Sequence, residues 1–393
     1  GDWSSDVCSS DLLKMKKTYL FTPGPTQIPP EVVLAEASPM IHHRTSEFSD
    51  IFANVSEDLK YVFQTKDGEV FTFASSGTGG MEACVVNSVS RGDKAIVISG
   101  GKFGERWAQI CETYGVNVVK IDVENGKAVK PEDLDETIKK EDGVKAVFTT
   151  LSETSTGVVH DIEAIAKVVK GHNLLLIVDG ISGIGVQPFK MDDWGIDIAV
   201  TGSQKGFMLP PGLSFVCVAK SAWESIEKSD LPKYYWNFKK MQKALSNKTT
   251  AYTPAISLIM AAGKSIEMIK SEGIENVWSR HARLANATRE GAKALGLELF
   301  AGDDSGNVLT SIKIPDGVTF DAGIKKLRDE TGVTIAGGQD ELKGKMFRIG
   351  HMGYVNDFDI VLAMSAVEKI LHENGYKVEL GKGISKVQEI LVG

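Results

Sequence analysis

The chain has 393 residues, 42% of them apolar, which is enough to bury a large core in two domains or in one large domain with a smaller one attached. Its formal charge of -8, with 44 basic and 52 acidic residues spread along the chain, argues against nucleic acid or an acidic membrane as a partner, because both need a basic face. No apolar run approaches the ~20 residues that span a bilayer, and Cys8, Cys84, Cys111 and Cys217 lie far apart without a CxxC pair, so neither a membrane helix nor a disulfide framework is expected.

Residues 1–14 (GDWSSDVCSSDLLK) have no basic start and no apolar stretch of the kind a signal peptide needs. They read as a tail or foreign extension ahead of Met15, and with no targeting signal the cytoplasm is the expected location. Residues 15–30 read as an extended N-terminal segment, because Thr22–Pro30 (TPGPTQIPP) is too rich in Pro and Gly for regular structure. Candidate strands follow at Val70–Ala74, Ala95–Ser99, Asn117–Ile121, Lys145–Thr150, Leu174–Val178, Asp197–Thr201 and Leu213–Val218. Helical patterns lie between most of them, at Gly80–Val89, Glu105–Tyr114, Pro131–Lys140 and Ile162–Lys170. Strands alternating with helices predict a mostly parallel sheet covered on both faces. The last two strands are joined only through LPPG at 209–212, so one antiparallel strand is expected. This gives an α/β class and a large domain over 31–262. After Pro254 the spacing predicts a long helical run over Ala255–Leu295, strands at Val308–Ile314 and Met346–Gly350, and helices near Phe320–Thr331 and Asp357–Asn374. Residues 263–393 therefore read as a smaller α+β domain.

Three strand ends carry chemistry. Ser75-Ser76-Gly77-Thr78-Gly79-Gly80 follows a strand and opens a helix, where free N–H groups and the helix dipole suit an anion. It is neither GxxxxGK[ST] nor GxGxxG, and a tight turn built on glycine is the plainer reading. Asp179 ends the apolar run LLLIV, where open α/β sheets bind ligands; it suits a protonated ring nitrogen, or it caps a turn. Lys205 follows the strand IDIAV and the turn TGSQ. A lysine among apolar residues loses its proton readily and forms imines, although a lone lysine after a strand is more often on the surface. All three positions lie at carboxyl ends of one predicted sheet and are expected to converge on one crevice.

SSGTGG-MEA, ETSTG, VDG-ISGIG and above all GSQK-x4-PPG resemble the fold-type I pyridoxal-phosphate enzymes of the class V aminotransferase family, nearest to its alanine–glyoxylate, serine–glyoxylate and serine–pyruvate members. PGPTQIPP and FRIGHMG fit the same group, and the resemblance covers roughly residues 18–375. It implies pyridoxal phosphate bound as an imine on Lys205, with Asp179 on the ring nitrogen. It implies Ser76, Gly77 and Thr78 on the phosphate, Thr154 on the ring hydroxyl and Gln204 beside the lysine. Phe103, in GKFGERW, falls where the family stacks an aromatic on the ring; a tryptophan found there in some members is replaced, though any aromatic face stacks. Trp107 is expected in the core. Arg348 matches the arginine that grips the substrate carboxylate with its planar fork, and Gly24 falls at the same substrate site. His43 and Arg44 match a pair that some members insert into a partner's site, and Tyr252 and Thr253 fall where a partner chain touches the phosphate, so a homodimer with shared sites is implied. His42 beside His43 raises a metal site, but no further ligands stand at the spacing one needs.

The implied reaction is a ping-pong transamination from alanine or serine to glyoxylate or pyruvate, with Lys205 moving the proton. The rivals on the same fold are a lyase, an aminoethylphosphonate or ureidoglycine aminotransferase, a non-catalytic binding protein and a cysteine desulfurase. The last needs a cysteine in the C-terminal part, and none follows Cys217.

Overall fold

The computed structural model describes residues 17–393. The expected tail over 1–14, Cys8 and the start at Met15 lie outside the described residues. In chain order the elements are β1 (Tyr19–Phe21), α1 (Pro30–Glu36), α2 (Ser46–Phe63), β2 (Glu69–Ala74), α3 (Gly77–Ser88), β3 (Lys94–Ser99), α4 (Lys102–Thr113), β4 (Asn117–Asp122), α5 (Pro131–Lys140), β5 (Val144–Thr150), β6 (Ser152–Glu153), β7 (Val158–Val159), α6 (Ile162–Gly171), β8 (Leu175–Asp179), α7 (Met191–Trp194), β9 (Ile198–Gly202) and β10 (Leu213–Val218). They continue with α8 (Trp223–Lys228), α9 (Phe238–Ser246), α10 (Ile256–Glu272), α11 (Ile274–Ala294), β11 (Leu309–Lys313), α12 (Phe320–Thr331), β12 (Val333–Gly337), β13 (Met346–Gly350), α13 (Asp357–Glu373) and α14 (Lys382–Val392). No helix among the described residues is long and apolar enough to cross a membrane.

Alternation along the strands places a core on each face of the main sheet. In β3, Ile96 and Ile98 enter one core while Ala95 and Val97 enter the other; in β8, Leu176 and Val178 oppose Ile177. Such two-sided burial leaves no polar face, which is why these strands read as apolar runs. The sheet has seven strands in the order β2-β10-β9-β8-β5-β3-β4. β10 is antiparallel to both neighbours and the other pairings are parallel, as the short LPPG link implies. The carboxyl ends of β5, β8 and β9 therefore lie side by side, with Thr150 facing Asp179 and Asp179 facing Val200.

The second sheet runs β1-β12-β13-β11. Its core holds Leu284, Phe320, Phe347, Ile349, Ile360 and Val387, with the Phe320 and Phe347 rings stacked at 3.9 Å. Phe347 and Ile349 face this core, so Arg348 between them projects from the opposite face of β13.

Several expectations are revised. The single helix over Ala255–Leu295 is two helices, because Gly273 at φ 86° ends α10 and starts α11. α3 and α4 begin at Gly77 and Lys102, three residues ahead of the expected starts at Gly80 and Glu105. Glycine is a poor helix former, so it reads as a boundary; here it allows close approach instead. A Cβ on Gly80 would stand 2.6 Å from Val200 Cγ2 and 3.0 Å from Ser214 Cβ. The extended N-terminal segment supplies β1, which pairs in parallel with β12, and neither strand was expected. α10 runs through residue 262, where the sequence puts the domain boundary, so a helix would join the two expected domains. Trp107 is buried as expected, its Nε1 donating to Thr149 O at 3.1 Å. Cys84, Cys111 and Cys217 are free and buried.

Gly80→Ala is expected to destabilise the protein by about 1–3 kcal/mol, the usual cost of overpacking. A lower denaturant midpoint at unchanged slope is the signature; an unmoved midpoint would mean that α3 can lift from the sheet freely.

Candidate active site

Lys205 lies in the turn after β9, buried to 9% exposure. The loop that contains Gly24 covers it. Lys205 Nζ donates to Pro23 O, Thr26 N donates to Gln204 O at 3.2 Å, and Thr26 Oγ1 donates to Lys205 O at 3.1 Å. A Cβ on Gly24, whose φ is 109°, would come within 2.6 Å of Lys205 Cδ and Cε, so this position needs glycine twice over. Burial pushes the amine down to about 8; Asp179 opposes that shift, while Arg348 and Arg106 add to it. Gln204 Oε1 beside it is buried without a hydrogen-bond partner.

Asp179 ends β8, 3% exposed, and its Oδ1 accepts from Ile181 N at 2.8 Å. Burial pushes its carboxyl up to about 7; the Ile181 N–H pulls it back, Glu153 raises it, and Arg106 and Lys205 lower it. The amine is thus held below the ordinary lysine range and the acid above the ordinary carboxylate range, within electrostatic reach of one another. Shifts toward neutral pH of this kind suit groups that move protons.

The first turn of α3 supplies the anion site. Ser76 is its N-cap but makes no side-chain cap bond, and the opening N–H groups of a helix have no partner inside it. Thr78 Oγ1 accepts from Arg106 Nη1 at 3.1 Å. Phe103, on the first turn of α4, is half-buried beneath the same guanidinium, 4.7 Å from its ring centroid.

Arg348 is 5% exposed and among the described residues donates only to backbone carbonyls: Nε to Gly337 O at 3.0 Å, Nη2 to Gly337 O at 2.7 Å and Nη1 to Thr154 O at 2.7 Å. Burial lowers it to about 10, opposed by Glu153. The surface ion pair that a strand arginine ordinarily makes is replaced by a fork aimed across the gap between the two sheets. Thr154, in the β6–β7 turn, is buried beside it.

His43, Arg44, Tyr252 and Thr253 form a separate group. Arg44 Nη1 donates to Thr249 Oγ1 at 2.6 Å and Thr250 O at 3.0 Å, and Tyr252 Oη donates to Tyr234 O at 2.8 Å. Tyr252 and Thr253 border a cleft with Ala74 and Leu213, which face each other at the ends of β2 and β10. No hydrogen bond among the described residues ties this group to Lys205, Asp179 or Arg348.

The sequence reading missed two residues. Glu153, 1% exposed, accepts from Phe103 N at 2.9 Å, Gly104 N at 3.0 Å, Ser155 N at 3.1 Å and Ser155 Oγ at 2.5 Å, so one carboxylate caps the start of α4 and closes its own turn. Arg106 is the other, and its spacing of i+3 from Phe103 on a helix was the available signal.

These residues form a site suited to an anionic ring cofactor: a helix start with open N–H groups, an aromatic face, a buried acid, an amine and an orphaned amide oxygen. A family model described as Aminotransferase class-V matches residues 18–356. The soluble hydrogenase small subunit of Synechococcus is 41% identical over 379 residues, covering 95% of this chain and 98% of that protein. The serine–glyoxylate aminotransferase of Methylorubrum extorquens is 36% identical over 386 residues, covering 95% of this chain and 96% of that protein. Among solved structures, the ureidoglycine–glyoxylate aminotransferase of Bacillus subtilis superposes with a TM-score of 0.90 at 28% identity, covering 97% of this chain and 100% of that one.

Glu153→Ala leaves several buried donors facing nothing and is expected to cost about 2–4 kcal/mol in unfolding free energy. Glu153→Gln, which keeps the shape and one acceptor oxygen, should cost less. Equal losses in denaturant titrations would contradict the capping role.

Proposed function

This chain belongs to the class V aminotransferases, and from that premise we propose that it transfers an amino group from a small amino acid, alanine or serine, to glyoxylate or pyruvate, using pyridoxal phosphate bound at Lys205. The observation that carries the reading is the buried Lys205 amine, pushed down to about 8, in the field of a buried Asp179 and of Arg348, whose hydrogen bonds among the described residues go to backbone carbonyls. Glyoxylate stands in the names of both the Methylorubrum relative and the Bacillus structure, which supports it as the acceptor. We also propose the cytoplasm as its location, and a large domain over 31–262 with a small one over 263–393.

Bound there, pyridoxal phosphate supplies an electron sink for the charge left when a proton leaves the substrate α-carbon. The chain's residues do the rest. The N–H groups of Gly77 and Thr78, with Ser76 and Gln204 nearby, hold the phosphate at the α3 dipole. Phe103 offers its ring face, and Thr154 offers a hydroxyl. Asp179 pairs with the ring nitrogen and keeps its proton in place. Arg348 takes the substrate carboxylate with its fork, next to Gly24, and so fixes which α-substituent faces Lys205. Lys205 Nζ accepts the α-proton and returns it; a pKa near 8 leaves much of it unprotonated at mildly alkaline pH. The donor leaves as an oxo acid before the acceptor enters, because both use Arg348.

His43, Arg44, Tyr252 and Thr253 are proposed to serve the site of a second copy in a homodimer. Among the described residues no hydrogen bond ties them to Lys205, Asp179 or Arg348, and this together with the exposed Val33, Leu34 and Met40 on the N-terminal segment supports that arrangement. The desulfurase reading finds no reactive thiol among the described residues: burial pushes Cys84 and Cys217 far up and Cys111 up to about 12, the opposite of a reactive thiol.

Steady-state rates with L-alanine, L-serine and other amines against glyoxylate test the reading. Parallel double-reciprocal lines with alanine or serine are expected, and Lys205→Ala should lose roughly 10⁴-fold or more in kcat, the scale of removing an essential proton carrier. Turnover with neither donor, or near-full activity without Lys205, would overturn it.

A further inference from the structure

Among the described residues, Arg106 makes one ring contact and one hydrogen bond and no ion pair. Its guanidinium carbon lies 4.7 Å from the Phe103 ring centroid, and its Nη1 donates to Thr78 Oγ1 at 3.1 Å. The acid next to it in sequence, Glu105, is taken by Lys120 at 2.9 Å. Among the described residues no close ion pair holds this side chain, Asp179 acting on it without a salt bridge; the two contacts fix it. They reach the two residues that the proposed function puts on the ring face and at the phosphate of one cofactor, and these residues belong to different helices, α4 and α3.

We propose that Arg106 is a positioning residue that clamps α4 to the start of α3, so that the Phe103 ring and the Thr78 hydroxyl keep a fixed separation. The proposal rests on the reading of this site as a pyridoxal-phosphate site. Phe103 is then held twice, by Glu153 at its backbone N–H and by Arg106 at its ring. The planar guanidinium suits the task because it stacks on a ring with its face while donating from its edge, which an ammonium on a flexible stem does less well. The clamp also places a third positive charge in the site besides Lys205 and Arg348, where it lowers the pKa of both Lys205 and Asp179. Removing it is therefore felt at the atoms that move protons as well as at the cofactor's anchor points.

The test titrates pyridoxal phosphate into cofactor-stripped protein, reading tryptophan fluorescence for affinity and the induced circular dichroism of the visible band for a fixed orientation. Arg106→Gln is expected to bind roughly tenfold more weakly, the combined scale of one cation–π contact and one hydrogen bond, with at least half of the induced dichroism lost. Arg106→Lys keeps the charge without the fork and should stay at least threefold weaker than wild type. In a cycle with Thr78→Val, the double variant should fall at least threefold short of the product of the single effects, because the two share one bond. Multiplicative effects, full recovery by lysine, or binding and dichroism unchanged in Arg106→Gln would each overturn the clamp. Absence of any visible band in the wild-type chain would overturn the reading of the site, and the clamp with it; a normal wild-type band beside an unaffected Arg106→Gln overturns the clamp alone.

Discussion

Taking an ammonium out of water costs several kcal/mol unless a counter-charge comes with it or the proton leaves. Lys205 meets that cost in part by the second route, its amine being pushed down to about 8. It is 9% exposed, its nearest opposite charge is an acid itself pushed up to about 7, and two arginines add to the repulsion. A site arranged this way disfavours a protonated lysine and favours an amine that can attack, accept and return protons. The covering loop, the strand ends and the Gly24 position all serve to keep water from restoring the charge.

The two sheets divide the labour. The seven-stranded sheet brings Asp179 and Lys205 together because β8 and β9 are parallel neighbours, and parallel strands deliver their carboxyl ends to one edge. The four-stranded sheet brings Arg348 from the other side, on the face of β13 that its own core does not use. Glu153 and Arg106 then tie the start of α4 to the β6–β7 turn and to α3. Asp179, Glu153, Arg106 and Arg348 stand on strands or a helix, and Lys205 on the turn that β9 feeds, an arrangement that fixes the charged groups relative to one another.

Lys205, Asp179 and the α3 turn were legible because their signals are local: an apolar run that ends in an acid, a strand that runs into a hydroxyl turn and a lysine, and small residues before a helix. The two-sided sheet was legible for the same reason, with strand ends off by a residue. Gly273 was not read as a break, since the apolar periodicity continues on both sides of it. β1 and β12 escaped notice because a three-residue strand has almost no pattern, and its partner lies more than three hundred residues away. Glu153 reads as a polar residue in a turn, and only the folded chain shows that it faces the start of α4, fifty residues earlier. Arg348 was assigned by resemblance; its bonds to Gly337 O and Thr154 O are facts of the tertiary structure.

The most direct measurement is to mix the cofactor-stripped protein with pyridoxal phosphate across a pH range, reduce with borohydride, digest, and identify by mass spectrometry which lysine carries the pyridoxyl group. The account predicts modification at Lys205, with an initial rate that rises through a midpoint near pH 8 and levels above it, because deprotonating the amine limits attack. Labelling spread over surface lysines, or a rate that climbs steadily to the ordinary lysine range near 10.4, would contradict it.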